Sequence, residues 1–163
     1  MRIKMKKIIV GLILVIFTGI IFWIRINPPL EYGTIAGNSE YTSVVIGLGN
    51  KGFNDIQITK VYVNNGETPS EVKMQINHPD KGFIVTDDFS SSEAATYDFF
   101  SLLDAKIERG TIIGEIYERQ DKKQVKEDDK IYGLTILNEQ PIYKATIQYR
   151  YLGMPYKFEV NVK

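Results

Sequence analysis

The chain has 163 residues, of which 20 are basic, 20 acidic, one is histidine and none is cysteine. Without cysteine there is no disulfide framework, thiolate metal site, cysteine nucleophile or lipid-bearing N-terminal cysteine, and His78 alone cannot supply a metal site that needs two imidazoles. The first 25 residues take five of the bases (Arg2, Lys4, Lys6, Lys7, Arg25) and no acid, leaving 15 bases against 20 acids in the remainder, a net of −5; this argues against nucleic acid as a partner, which is held by clustered cations.

Ile8 to Ile24 is 17 residues without a charge. As a helix it spans roughly 26 Å, slightly under a bilayer's hydrocarbon core of about 30 Å. Lys7 and Arg25 flank it with side chains long enough to snorkel, and Trp23 stands where an interfacial aromatic belongs. Four bases precede the run and one closely follows it, so the positive-inside rule places residues 1–7 in the cytoplasm and the rest outside, on a single-pass anchor at residues 8–24 of the cytoplasmic membrane. The alternative is a cleaved signal peptide. The apolar run is long for one, and the residues after it, Trp23 to Pro29, include no small residue; the nearest small-ended site is Thr34-Ile35-Ala36.

Residues 25–40, RINPPLEYGTIAGNSE, are expected to be a tether, stiff at Pro28-Pro29 and loose at Gly33, Gly37, Asn38 and Ser39. An extracytoplasmic domain then occupies 41–163. Tyr41 to Leu48 reads as a strand. Asp55 to Asn64 reads as another with a phase slip, because Ile56 and Ile58 are even while Val61 and Val63 are odd; a bulge near Thr59-Lys60 reconciles them. Asn65-Gly66 opens a turn, and Val72, Met74 and Ile76 mark the next strand. Phe83 to Val85 is expected to be extended as a further strand. Ser90-Ser91-Ser92-Glu93 fits a capping box, and Ala95, Phe99, Leu102 and Leu103 follow at helical spacing, so a short helix is expected over about 91–103. Ile107, Ile112, Ile113 and Ile116 suggest a strand within 105–117, and ERQDKKQVKEDDK (118–130) an exposed charged loop. Ile131 to Leu137, Tyr143 to Tyr151 and Tyr156 to Lys163 complete the strands, the last two alternating cleanly and joined by Leu152-Gly153-Met154-Pro155 as a hairpin. Short strands at regular spacing, without βαβ alternation, predict a mainly β protein: an immunoglobulin-like antiparallel β-sandwich with one short helix.

The phrases GLGNKGFNDIQITKVYVNNGE, HPDKGFIVTDDF, DDKIYGLTILN and ATIQYRYLGMPYKFEV resemble a group of small uncharacterised membrane-anchored proteins of Bacillus-type Gram-positive bacteria, over residues 40–163. The resemblance implies an extracytoplasmic sandwich on an N-terminal anchor. The group has no assigned activity, so it implies no site residue.

Gly47-Leu48-Gly49-Asn50-Lys51-Gly52 matches GxGxxG after a strand, but Phe53-Asn54-Asp55-Ile56-Gln57-Ile58 is strand-like where a dinucleotide site needs a helix. The glycines are therefore expected to form a tight hairpin turn, and no cofactor is expected. His78 lies in Asn-His-Pro-Asp, a polar turn; a triad with Ser90, Ser91 or Ser92 lacks a G-x-S-x-G context. Asp87-Asp88 and Glu127-Asp128-Asp129 are acidic clusters; Asp87, Asp88, Asp128 and Asp129 are weak calcium candidates without the D-x-D-x-D-G spacing, and solvated loop charge is the simpler reading. Tyr143, Tyr149, Tyr151 and Tyr156 share faces with Ile147 and Val160 and are expected in the core. These features predict a non-enzymatic interaction or accessory domain that binds an envelope protein or polymer. The alternatives are an envelope hydrolase using Asp87 and Asp128, or a small sensor acting through another membrane protein.

Overall fold

The computed structural model describes residues 2–163; for residues 2–8 and for residue 10 it describes the backbone alone. Helix α1 (Arg2–Ile26) ends where the Asn27 amide donates to the Trp23 carbonyl (3.0 Å) and two prolines follow, neither with an N–H to continue the helix. Strand β1 (Leu30–Gly37) begins directly afterwards. The expected tether over residues 25–40 is therefore corrected: most of it is a strand. Leu30 sits opposite Asn50 and Gly37 opposite Val44 on the neighbouring strand β2 (Ser43–Asn50), and a register shift falls between Tyr32 and Ile35. Leu30 is buried, and Tyr32 reaches the Phe158 ring (5.9 Å, edge-on). Glycines and polar residues made the segment look loose, but its apolar residues have a core to enter.

The remaining strands are β3 (Gln57–Val63), β4 (Glu71–Asn77), β5 (Phe99–Phe100), β6 (Ile131–Leu137), β7 (Lys144–Tyr151) and β8 (Met154–Asn161). They form two antiparallel sheets, one in the order β1-β2-β6-β4-β5 and the other β3-β7-β8. The core lies between them. Val44, Ile46, Leu48, Met74, Tyr132, Leu134 and Ile136 face Ile58, Val61, Val63, Ala145, Ile147, Tyr149 and Val160, the period-two positions that burial on one face requires. The phase slip in β3 is a real bulge: Ile58 pairs with Tyr149 and Lys60 with Gln148, leaving Thr59 unpaired. The β7–β8 turn is shorter than expected. Leu152 (φ 51°) and Gly153 (φ 75°) alone make it, and Met154 and Pro155 already belong to β8, as in the tight turns that match strand twist.

Between β4 and β6 the chain wraps a third layer over the outer face of the five-stranded sheet, and four expectations fail there. The helix expected over 91–103 is reduced to one 3₁₀ turn, Ala94–Thr96. The Ser91 hydroxyl does accept the Ala94 N–H (3.1 Å), but Phe99 is drawn off to pair opposite Gln75 as β5, and Leu103 is exposed. The helix lies instead at α2 (Ile113–Asp121), across residues expected as a strand (105–117) and a loop (118–130). Phe83 to Val85 is not a strand; it is held by side chains, as the Ile84 N–H donates to the Gln75 Oε1 (3.1 Å) and the Gln75 amide to the Ile84 carbonyl (2.7 Å). The Ser43 hydroxyl likewise donates to the Thr86 carbonyl (2.6 Å).

The GxGxxG stretch does not form the expected tight hairpin turn either: β2 and β3 belong to different sheets, and Gly47, Gly49 and Gly52 keep negative or extended φ. Gly47 and Gly49 lie within β2; Gly49 makes room for the third layer, while a Cβ at Gly47 would meet the Thr34 carbonyl of β1 (3.3 Å) and Phe83 (3.4 Å). A Cβ at Gly49 would stand 2.6 Å from the Thr111 carbonyl oxygen and 2.7 Å from Ile113, and one at Gly133, the residue opposite Gly47, would stand 2.7 Å from Phe83. Glycine here permits close approach rather than a sharp bend. Asn50 closes the loop that follows: its amide donates to the Asn54 and Ile107 carbonyls (2.9 and 3.0 Å), and its carbonyl accepts the Gly52 N–H (2.9 Å).

Candidate functional site

The three-stranded sheet carries its polar residues outward, and register sets them in rows. Lys60 of β3, Gln148 of β7 and Lys157 of β8 lie side by side, because Gln148 pairs with both lysines. Arg150 lies two residues along the same face of β7, opposite Gln57 and Pro155. Arg25, in the last turn of α1, closes the end: its guanidinium donates to the Pro155 carbonyl (2.9 Å) and lies over the Tyr156 ring (5.3 Å). These residues line an open groove of about 560 Å³ with Thr59, Tyr149 and Tyr156. Four cations and no carboxylate line it. Among the described residues only Lys157 of the four has an ion-pair partner, Glu159 at 2.6 Å.

An aromatic stack supports this end of the molecule. Tyr149 and Tyr156 lie face to face (5.2 Å), and Tyr151 meets Tyr156 and Phe53 edge-on (6.4 and 5.7 Å). Tyr149 and Tyr151 are buried as expected. Tyr156 is half-buried, while Tyr143 is 54% exposed, which corrects its expected place in the core. Tyr143 precedes β7 and its N–H is held by the Asn64 side chain (2.9 Å), so the alternation of the strand does not extend to it. Burial pushes the Tyr149 phenol up to about 12 and raises that of Tyr132 still further, with Glu108 adding to the effect. Beside the stack a second cleft of about 240 Å³ is bounded by Trp23, Ile24, Asn27, Pro29, Lys51, Gly52, Phe53 and Tyr151. Trp23 and Arg25 are both exposed at the end of α1, whereas Ile24 is buried against the sandwich and its carbonyl faces the Tyr156 hydroxyl (3.4 Å). Ile8, which opens the expected anchor, lies outside the residues whose side chains are described. Among the described residues no helix is long and apolar enough to cross a membrane; for α1 the described side chains are those of Ile9 and of residues 11–26.

The acidic candidates have local partners. The Asn38 amide donates to Asp87 (2.9 Å), and the Ser90 N–H to Asp88 (2.7 Å). Asp129 accepts from Nε and Nη2 of the Arg119 guanidinium (3.1 and 3.0 Å) and from the Lys126 N–H (2.9 Å). Partial burial works to raise the Asp129 pKa, but the Lys126 N–H and the Arg119 charge outweigh it and hold the carboxyl below its usual value. Asp128 is exposed. Among the described residues no three histidine or acidic side chains come together in a way that could hold a metal ion. Neither groove above is lined by Asp87 or Asp128. His78 sits against the Lys126 carbonyl (3.0 Å) and Asp80 (3.5 Å), and Ser90 and Ser91 serve their own turn.

Lys60, Arg150 and Lys157 were missed as a group because the strand pattern marks them only as outward-facing polar residues. Their alignment depends on the pairing of three strands, one of them bulged. The missed signal was the absence of acids at these positions in an otherwise acidic domain. No family model matches the chain, and no curated protein or solved structure does.

Proposed function

We propose that this protein is a membrane-anchored, non-enzymatic display domain, held on the outer face of a cytoplasmic membrane by α1 and binding another envelope component through the surface of its sandwich. The observation that carries this reading is the surface of α1. From Ile9 to Trp23 every large apolar side chain described is exposed, Val15 to 70%. A helix apolar on all sides is covered by lipid or protein, and its basic N-terminal flank favours lipid with that end in the cytoplasm. The nearest signal-peptidase candidate, Thr34-Ile35-Ala36, lies inside β1, so cleavage there would remove an edge strand from the sheet; this supports retention of the helix.

The sandwich is further read as immunoglobulin-like. The order β1-β2-β6-β4 against β3-β7-β8 follows the A-B-E-D and C-F-G sheets of that architecture, with β5 and the third layer as additions between the fourth strand and β6. Such sandwiches present loops and edges to partners, and the fold itself carries no chemistry.

The test is to express the full-length chain with a C-terminal tag in a Gram-positive host, wash the membranes with alkaline carbonate, expose cell-wall-stripped cells to protease, and crosslink intact cells. The expected result is a tag that stays with washed membranes, is lost to external protease and brings down one reproducible envelope protein or polymer. A full-length tagged chain in the soluble fraction, or a shortened one in the medium, would overturn the reading.

A further inference from the structure

We propose that the cationic groove between α1 and the β3-β7-β8 sheet binds the phosphate of anionic lipid headgroups at the foot of the domain. The inference rests on the anchored reading above, since α1 sets the height of the groove. Arg25 lies one residue before the end of α1 and also lines the groove. The headgroup layer is only about 5–7 Å deep on each side of the hydrocarbon, so a cleft that begins at Arg25 opens into that layer.

The chemistry of the lining fits phosphate. Lys60, Arg150 and Lys157 project from three adjacent strands whose pairing fixes their spacing. Arg150 and Lys60 have no acidic partner among the described residues, Lys157 is paired with Glu159 (2.6 Å), which does not line the groove, and Arg25 is oriented by the Pro155 carbonyl and the Tyr156 ring rather than by a carboxylate. Four like charges brought together with a single counter-charge at the rim repel one another, and an anion relieves that cost. The Gln148 side chain and the Thr59 hydroxyl also line the groove; Thr59 donates to the Gln148 carbonyl (3.1 Å), and Gln148 adds neutral hydrogen bonding for ester or glycerol oxygens. The domain beyond the helix is net acidic, so the concentration of positive charge at its membrane end is local. It would draw this face toward an anionic bilayer while the rest of the surface is repelled. Phe53 and Leu152 are exposed, and Phe53 packs on Tyr151 in the neighbouring cleft at the foot of α1, so this end also offers apolar contact to the bilayer interface.

The experiment uses the full-length chain in detergent, titrated with phosphatidylglycerol or phosphatidylcholine, with bound lipid counted by native mass spectrometry. The triple variant Lys60→Gln/Arg150→Gln/Lys157→Gln is compared with wild type, and hydrogen exchange in β2 and β6 checks that its core is intact. Each cation near an anionic lipid surface is worth about fivefold in affinity. The wild type should therefore retain phosphatidylglycerol over phosphatidylcholine, and the variant should lose about a hundredfold of that affinity. Equal retention of the two lipids, or an unchanged variant, would overturn the groove proposal while leaving the anchor intact. If millimolar inorganic phosphate protects β7 and β8 from exchange and phosphatidylglycerol does not, the ligand is a soluble phosphate and the lipid assignment fails. If carbonate strips the full-length chain from membranes, the anchored reading itself fails and the lipid source with it.

Discussion

Gly49 is a residue whose side chain is excluded by backbone. The Thr111 carbonyl would lie 2.6 Å from a Cβ there, and a carbonyl fixed by accepting the Asn50 N–H (3.1 Å) cannot easily withdraw. Gly49→Ala should cost about 1–3 kcal/mol, in the range of overpacked cores, and should loosen residues 107–113. Gly114, in the first turn of α2, has nothing within 4 Å. Gly114→Ala should be neutral or stabilise by about 0.4–1 kcal/mol. Urea midpoints of the two variants check the contrast; equal effects would mean that β2 and the third layer are not in contact. The same comparison shows what single residues disclosed. Gly47 and Gly49 announced themselves in the sequence, but only as a motif. That their task is close packing was hidden, because Thr111, Ile113 and Phe83 come from segments 34 or more residues away.

At the scale of elements, local patterns succeeded where one sheet decides the environment and failed where two layers do. The phase slip between Ile58 and Val61 revealed the bulge because both halves of β3 bury the same face. The β7–β8 hairpin was legible for the same reason. Ile112, Ile113 and Ile116 read as strand because β-branched residues favour it, but α2 lies on the glycine-lined face of β2 with Ile116 buried beneath it. Charged residues 118–130 were expected to be loose, yet Arg119 and Asp129 clamp the end of α2 to the following turn. Because the folded Asp129 has a lowered pKa, the stability it contributes is present above the ordinary carboxylate value near 3.8 and is lost as pH falls through the folded value. Hydrogen-exchange protection factors for residues 113–130 should therefore drop below about pH 4, ahead of those for β2. Asp129→Asn should lower them at least about tenfold at neutral pH, as expected when a charged hydrogen bond worth about 1.5 kcal/mol or more is lost, and should flatten the acid dependence. Protection unchanged in the variant would show that the clamp contributes nothing to holding α2.

For the molecule as a whole, two buried phenols set an upper pH limit. Tyr149 and Tyr132 are held protonated by burial. Their raised pKa values mean that this part of the stability is complete below about pH 10 and is lost as pH rises through the folded values. Urea midpoints should fall between pH 10 and 12, and should fall less steeply in Tyr149→Phe, which has no proton to lose. Parallel decline in both proteins would move the cause elsewhere. The seating of α1 also belongs to this scale. Arg25 on Pro155 and Ile24 beneath Tyr156 join helix and sandwich across the two prolines, and only Asn27, Pro28 and Pro29 separate α1 from β1. Under the anchored reading, the sandwich is then a lever. Membrane helices tilt by about 20° on average, and a strand of eight residues is about 26 Å long, so such a tilt would swing the far loops through roughly 9 Å. With so short and braced a joint, the attitude of the helix in the bilayer would decide which loops the domain turns toward its surroundings.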